Sequence, residues 1–244
     1  MRNWLTFDGV STKDFGVYIS GGGTYNAPAR SREVISVPGR NGDLIIDNGR
    51  YENTEVVYHA FIYRNFGVNV EGLRNLLLSK TGYVRIEDTY HPEEFRLGVY
   101  SGDFQADVVD WLEAGEFDLA FNCKPQRFLK SGEEVCTFTA NGSLFNETRQ
   151  IAKPIVNVYT DGTSTNKSII INGTTFTIGG VYPPANTYFE VDCDIMDMRL
   201  MPNGTNANRY FSGGFPTLSP SANTIYLPAS GITKIEIIPR WWVL

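Results

Sequence analysis

The 244-residue chain has three cysteines, two histidines and four methionines, and each scarcity excludes a class of function. Cys123, Cys136 and Cys193 lack the spacing of a metal site, and an odd number of thiols without an export signal is expected to stay reduced. Met1 to Phe7 contains no apolar signal-peptide core and Asp8 follows at once, so synthesis in a cytoplasm and a soluble product are expected. No run approaches the roughly eighteen apolar residues that a membrane span requires. The motifs of common catalysts are missing too: there is no Gly-x-Ser-x-Gly elbow, His-x-x-x-His pair, phosphate-cradling Walker loop or Gly-x-Gly-x-x-Gly turn. Basic charge is short as well, 21 Lys and Arg against 27 Asp and Glu, for a net charge of −6. A nucleic-acid binder that works by neutralising many phosphates is thereby excluded.

What the chain does have is aromatics and glycine: 13 Tyr, 15 Phe, 4 Trp and 24 Gly. That mixture favours strands and turns over helices. The charge is unevenly placed. Residues 1–150 hold 15 basic against 21 acidic groups, whereas residues 151–244 hold 6 of each in a neutral background of Thr, Asn, Ser and Gly. The shift in composition predicts two domains, 1–130 and 131–244, with the junction where patterning lapses around Lys124-Pro125-Gln126-Arg127 and Ser131-Gly132-Glu133.

In the first part, short strands are expected at Trp4–Phe7, from Val10 to Ile19 ahead of Gly21 to Gly23, at Arg32–Val37 and at Leu44–Ile46, with turns at Pro38-Gly39 and Asn41-Gly42. Glu55–Tyr63 alternates with apolar residues on both sides, which predicts a central strand. Val70, Leu73, Leu76 and Leu77 recur at helical spacing, with Asn69 as N-cap and Gly82 at the C-cap, and predict one helix lying on a sheet. Tyr83–Glu87 and Phe95–Tyr100 read as a hairpin with a long tip, and Phe117, Leu119 and Phe121 mark a further strand in Trp111–Asn122. Beyond the junction, seven or eight short strands spaced about ten residues apart predict a β-sandwich. Five Asn-x-Ser/Thr triplets begin at Asn141, Asn146, Asn166, Asn172 and Asn203, and three of them are Asn-Gly. They are expected to be type I′ hairpin turns rather than glycan acceptors.

Few groups are candidates for chemistry. His59 falls in the predicted central strand, where a hydrogen-bonded core or interface role is expected, and His91 precedes Pro92 at a hairpin tip. Asp103, Asp107, Asp110, Glu113, Glu116 and Asp118 crowd one region; a glycosidase needs only two such acids, but a solvated or interfacial acidic edge is the expected reading. Asp192, Asp194 and Asp197 lack a calcium-loop pattern and are expected on an exposed strand face. Tyr159, Tyr182, Tyr188, Phe211, Phe215 and Tyr226 are the aromatics able to stack on a sugar, although most are expected in the core. No catalytic, cofactor or metal residue is assigned.

One resemblance runs along the whole chain. Pro38-Gly39-Arg40-Asn41-Gly42-Asp43-Leu44, then Asp47 to Asn53, the helix Leu73–Leu78 leading into Tyr83–Glu87, the tip Asp88 to Arg96, the segment Phe117 to Phe128 and the terminal Ile235 to Trp242 together resemble phage distal tail (Dit) proteins. The resemblance implies an N-terminal β-sandwich with one helix and a projecting hairpin, followed by a galectin-like C-terminal sandwich. It implies a structural, non-enzymatic hub of a long non-contractile tail, from a phage or prophage. The hub would be a hexameric ring bound to the tail tube on one face and to the tail-associated tip protein on the other, with host-binding proteins at the periphery. Neither nucleic-acid binding nor membrane insertion is implied. The hairpin from Tyr83 to Tyr100 is expected to reach the neighbouring subunit. A saccharide-binding lectin acting through residues 131–244 is the alternative.

Overall fold

The structure, a computed structural model, describes residues 2–21, 25–63, 65–110, 114–163, 165–180, 184 and 186–244, with backbone alone for 106–110. Gly22, Gly23, Trp111, Glu113 and Tyr182, and the side chains of Asp107 and Asp110, lie outside that description. Contacts divide the chain into two units, Met1–Arg127 with Leu244, and Phe128–Val243.

Period-two alternation builds the first unit. Its strands follow the order Val10–Ser11, Leu5–Phe7, Val84–Asp88, Glu94–Tyr100, Ala114–Leu129, Thr54–Ile62, Val17–Ser20, with Ala106–Asp110 also paired to Ala114–Leu129. The sheet curls as a half-barrel. Register places Leu119 against Tyr58 and Phe7 against Ile86, so that Leu5, Phe7, Val56, Tyr58, Ile86, Leu119 and Phe121 share one core. At one point the interior is close enough to need a glycine. A Cβ on Gly98 would stand 2.7 Å from both Cys123 Sγ and Ile86 Cδ1, so the interior has room only for glycine there.

The helix is Phe66–Leu78, about a turn longer at its start than the sequence predicts. Asn65, in the left-handed region at φ 50°, precedes it, and Ser79 rather than Gly82 closes it. Asn69 lies within the first turns because Phe66 packs against the core beside Val70, extending the apolar stripe backward. Leu73 and Leu77 are its fully buried anchors.

Thr54–Ile62 is the central strand that the sequence predicts, paired on its two edges with Ala114–Leu129 and Val17–Ser20. It buries Val56, Tyr58, Ala60 and Ile62 but leaves Val57 and His59 exposed, so one face of the strand is core and the other is open. Apolar alternation on both sides does not mean double burial here, since nothing among the described residues of this unit covers the second side. The Tyr83–Tyr100 hairpin, by contrast, does not project. Its strands, Val84–Asp88 and Glu94–Tyr100, are interior members of the sheet, and Ile86 and Arg96 are buried. The projecting hairpin is instead Arg30–Ile35 with Leu44–Tyr51, which pair only with each other.

The second unit is a sandwich of two antiparallel sheets. One runs Cys136–Phe138, Ile232–Ile238, Ile155–Thr160, Tyr188–Asp192, Asp197–Met201, Thr205–Asn206; the other runs Gly142–Asn146, Ser221–Tyr226, Lys167–Ile171, Thr174–Ile178, Phe211–Gly213. The strands number more than the sequence suggests because several, such as Thr205–Asn206 and Phe211–Gly213, are too short to show alternation. Inward residues of both sheets, Val156, Val158, Ile235 and Ile237 from one and Ile169, Ile171, Phe176 and Ile225 from the other, form the core. Of the three Asn-Gly pairs only Asn172-Gly173 has both residues at positive φ, 49° and 78°, as a type I′ turn demands. At Asn203-Gly204 the glycine alone is left-handed, and Asn141 instead accepts a hydrogen bond on Oδ1 from Leu227 N at 2.8 Å.

Candidate interaction surface

The hairpin Arg30–Tyr51 is the most unusual surface of the first unit. Its register sets Val34 against Ile45 and Ile35 against Leu44, with Glu33 opposite Ile46. Val34 is 63% exposed and Ile45 60%, and Ile35, Val37, Leu44 and Ile46 are exposed as well. Two strands alone are marginal in water, and fully burying one such side chain is worth roughly 1.5 to 3 kcal/mol. Contiguous apolar exposure of this kind marks a contact surface.

The base of the ribbon is fixed by polar contacts. Arg30 Nε donates to Asp47 Oδ2 at 2.6 Å, Gly49 N donates to Asp47 Oδ1 at 2.8 Å, and Glu52 N donates to Ala29 O at 2.8 Å. The Arg30 bond, aided by the Gly49 amide, holds the Asp47 carboxyl below its ordinary value. At the tip, Arg40 N donates to Val37 O at 3.1 Å, and Gly39 and Gly42 both take φ 81°, which a side chain would strain. Sequence reasoning found both strands and the turn between them. It missed that no third strand among the described residues joins them, since alternation reports burial of a face and not the partner across an edge.

The other candidate residues are placed as follows. His59 is exposed, with Nδ1 2.5 Å from Asp118 Oδ1, so it is neither a core residue nor withdrawn from solvent. Asp118 and Glu116 border an open depression of about 560 Å³ with Ser20, His59 and Phe61, and a second of about 380 Å³ with Asp103 and Gln105. The acids that the structure brings together, Asp103, Glu116 and Asp118, therefore line a wet outer face of the sheet; Asp107 joins them only in backbone register, opposite Glu116. His91 is the more buried histidine. Its Nδ1 is 3.2 Å from Asp88 Oδ1, which also accepts from Tyr90 N and His91 N at 2.9 and 2.8 Å, while Tyr58 OH donates to Asp88 Oδ2 at 2.8 Å. This network ties the tip to the sheet.

In the second unit the three aspartates are held apart by cations. Asp192 takes two bonds from Arg240, at 2.8 and 2.6 Å; Asp194 accepts from Lys153 at 3.0 Å; Asp197 accepts from Arg199 Nε at 2.7 Å and Asn208 Nδ2 at 2.7 Å. Burial works to raise the Asp192 carboxyl, but the Arg240 bonds and the Asp194 amide outweigh it and leave it below its ordinary value. Asp192 ends its strand and Asp194 lies in the turn beyond, so the two do not share a strand face as expected. No group of three metal-ligating side chains occurs among the described residues. Phe211 stacks on Phe215 at 4.3 Å and packs on the core, Tyr159 stacks on Tyr188 at 4.9 Å, and Tyr226 is exposed.

All three thiols are free. Burial pushes Cys123 up to about 11 and Cys193 up to about 12, whereas Cys136 is only half-buried. Titration of the native protein at pH 8 with a disulfide reagent is expected to modify Cys136 alone, and all three thiols once urea is added. Rapid native modification of all three would contradict the buried placement of the other two.

No protein-family model and no curated protein matches the sequence. Solved structures do match. The Dit protein of phage SPP1, described as a paradigm of the hub adsorption apparatus in phages infecting Gram-positive hosts, aligns over 100% of both chains at 15% identity with a TM-score of 0.73. A chain of the phage p2 baseplate, activated with Sr, aligns over 97% of both chains at 9% identity and TM-score 0.54. The Ca-activated form of that baseplate aligns over 97% of this chain and 98% of its own at 9% identity and TM-score 0.55. A full-length match with both units in sequence order, at identities too low to carry residue roles, establishes architecture: from end to end, this chain has the fold of the SPP1 Dit hub protein.

Proposed function

We propose that the chain is a structural subunit of a phage or prophage tail hub, acting by contact alone and without catalysis. The observation that carries the reading is the self-paired hairpin Arg30–Tyr51, whose apolar side chains are exposed in the single chain. A ring of identical subunits needs a heterologous contact, one patch on each copy fitting a different patch on the next, and this ribbon is a protruding half of such a contact. Full-length likeness to the SPP1 hub protein supports the hub role; in this reading six copies close around an axis, with the tail tube on one face, the tip protein on the other and receptor-binding proteins at the periphery. The product would be a component of the virion tail tip.

Negative-stain imaging of the purified protein tests this directly. A ring with a central opening is expected, with a light-scattering mass of about 164 kDa for six copies of 27.3 kDa. A monomer mass at micromolar concentration would reject a ring that closes unaided.

A further inference from the structure

The sandwich sheet containing Ile155–Thr160 presents an ordered outer face. Val156 and Val158 point into the core, so alternation turns Asn157 and Tyr159 outward. Register then sets Glu236 and Glu190 on either side of Asn157, and Arg199 beyond Glu190. With strands about 4.8 Å apart, this polar row spans about 14 Å. One level along the strands lies an aromatic row, in which Tyr159 and Tyr188 stack with ring centroids 4.9 Å apart and Lys234 faces Tyr159.

Three details point to a ligand. Asn157 is only 8% exposed, and its Oδ1 has no hydrogen-bond partner, an arrangement that is costly when left uncompensated. Lys234 Nζ sits 4.2 Å over the Tyr159 ring and donates to Glu236 Oε1 at 2.5 Å, so a flexible ammonium fills the place above the aromatic row. Tyr159 OH donates to Glu236 Oε2 at 2.9 Å, which fixes the ring with Tyr188 stacked on it and the Lys234 ammonium over it. We propose that this face is a binding site for a neutral saccharide. A pyranose would displace Lys234 and set its C–H face on the face of Tyr159 that the ammonium now covers, with Tyr188 stacked against that ring. Its hydroxyls would donate to Glu190 and Glu236 and exchange hydrogen bonds with the Asn157 amide. The two carboxylates disfavour an anionic polymer.

Glu236 supports this as an acceptor. Its bond from Lys234, with the Tyr159 hydroxyl assisting, holds the carboxyl below its ordinary value in the free protein, and a sugar hydroxyl donating to Oε1 would take over the bond that the displaced lysine gives up. The site belongs to the second unit alone, so it stands whether or not the chain forms a ring.

Isothermal titration and saturation-transfer NMR on the full-length protein test the site, using methyl glycosides of glucose, galactose and N-acetylglucosamine, with poly(glycerol phosphate) as the anionic probe. At least one glycoside is expected to bind, and Tyr188→Ala and Glu190→Gln are expected to weaken it by about tenfold or more. Lys234→Ala is expected to strengthen binding, because it clears the stacking place; a merely structural lysine would not give that sign. Tyr226→Ala, on the other sheet, is expected to change nothing. No binding by any glycoside up to about 20 mM, binding unaltered in Tyr188→Ala, or binding of poly(glycerol phosphate) alone would each overturn the proposal.

Discussion

Replacing Val34, Ile35, Ile45 and Ile46 together by serine is expected to leave each subunit folded and to abolish the ring. The expectation rests on where these residues are and are not. They belong to neither core cluster and pair only within the hairpin, so the unfolding midpoint and the circular dichroism of the chain should barely change. In the proposed ring each would be covered by the neighbouring subunit. Burial at roughly 1.5 to 3 kcal/mol per side chain makes the loss at each interface about 6 kcal/mol or more, a factor of at least about ten thousand in affinity. Six interfaces must close at once, so a loss of that size removes the ring altogether. Light scattering should fall from about 164 kDa to the 27.3 kDa of one chain. A variant that stays folded and still forms rings would place the contact elsewhere, with the open His59 and Asp118 face of the sheet as the next surface to examine.

The two-sheet sandwich, the helix and most of the longer strands were legible in the sequence because each carries its own period. Val70, Leu73 and Leu77 show a helical stripe whatever they pack on, and Thr174–Ile178 alternates visibly after the Asn172-Gly173 turn. What was not legible was which edge meets which. Tyr83–Tyr100 and Arg30–Tyr51 look alike as sequences, two strands and a turn, yet the first is interior to a sheet and the second is isolated. The difference lies in pairings across large separations, such as Phe7 with Ile86, that no local pattern encodes. The same holds for the saccharide face. Tyr159 and Tyr188 were recognisable as candidates, but the row of Glu236, Asn157, Glu190 and Arg199 draws on four strands and exists only in register. Asp192 shows the converse limit: expected on an exposed strand face with Asp194, it is committed to Arg240, 48 residues away in sequence.

That Arg240 contact leads to the substitution with the largest expected cost in the second unit, Gly132→Ala. A Cβ on Gly132 would lie 2.3 Å from Trp241 N and 3.1 Å from both Arg240 C and Trp241 Cα, all backbone atoms. A side chain could rotate away, but this backbone is pinned from several directions. Arg240 N donates to Gly132 O at 2.8 Å, Leu129 N donates to Trp241 O at 2.8 Å, and the Arg240 guanidinium is held by Asp192. The Trp241 side chain is buried in the sandwich core, and Trp242 Nε1 donates to Ile151 O at 2.9 Å. To admit one methyl group, the terminal segment must give up the Gly132 bond and draw Trp241 outward. Overpacking alone costs about 1 to 3 kcal/mol, and a lost hydrogen bond adds about 1. A total of about 3 kcal/mol is a large share of the 5 to 15 that usually separates folded from unfolded. Gly162→Ala is the control, because Gly162 has φ 81° with nothing within 4 Å of its added Cβ, so only left-handed strain of about 1 kcal/mol applies. Urea unfolding followed by tryptophan fluorescence should therefore move the midpoint by about 1 to 2 M for Gly132→Ala and by well under half of that for Gly162→Ala. Equal shifts would mean that the terminal strand yields easily, and that Arg240 and Trp241 do not anchor it as their contacts imply.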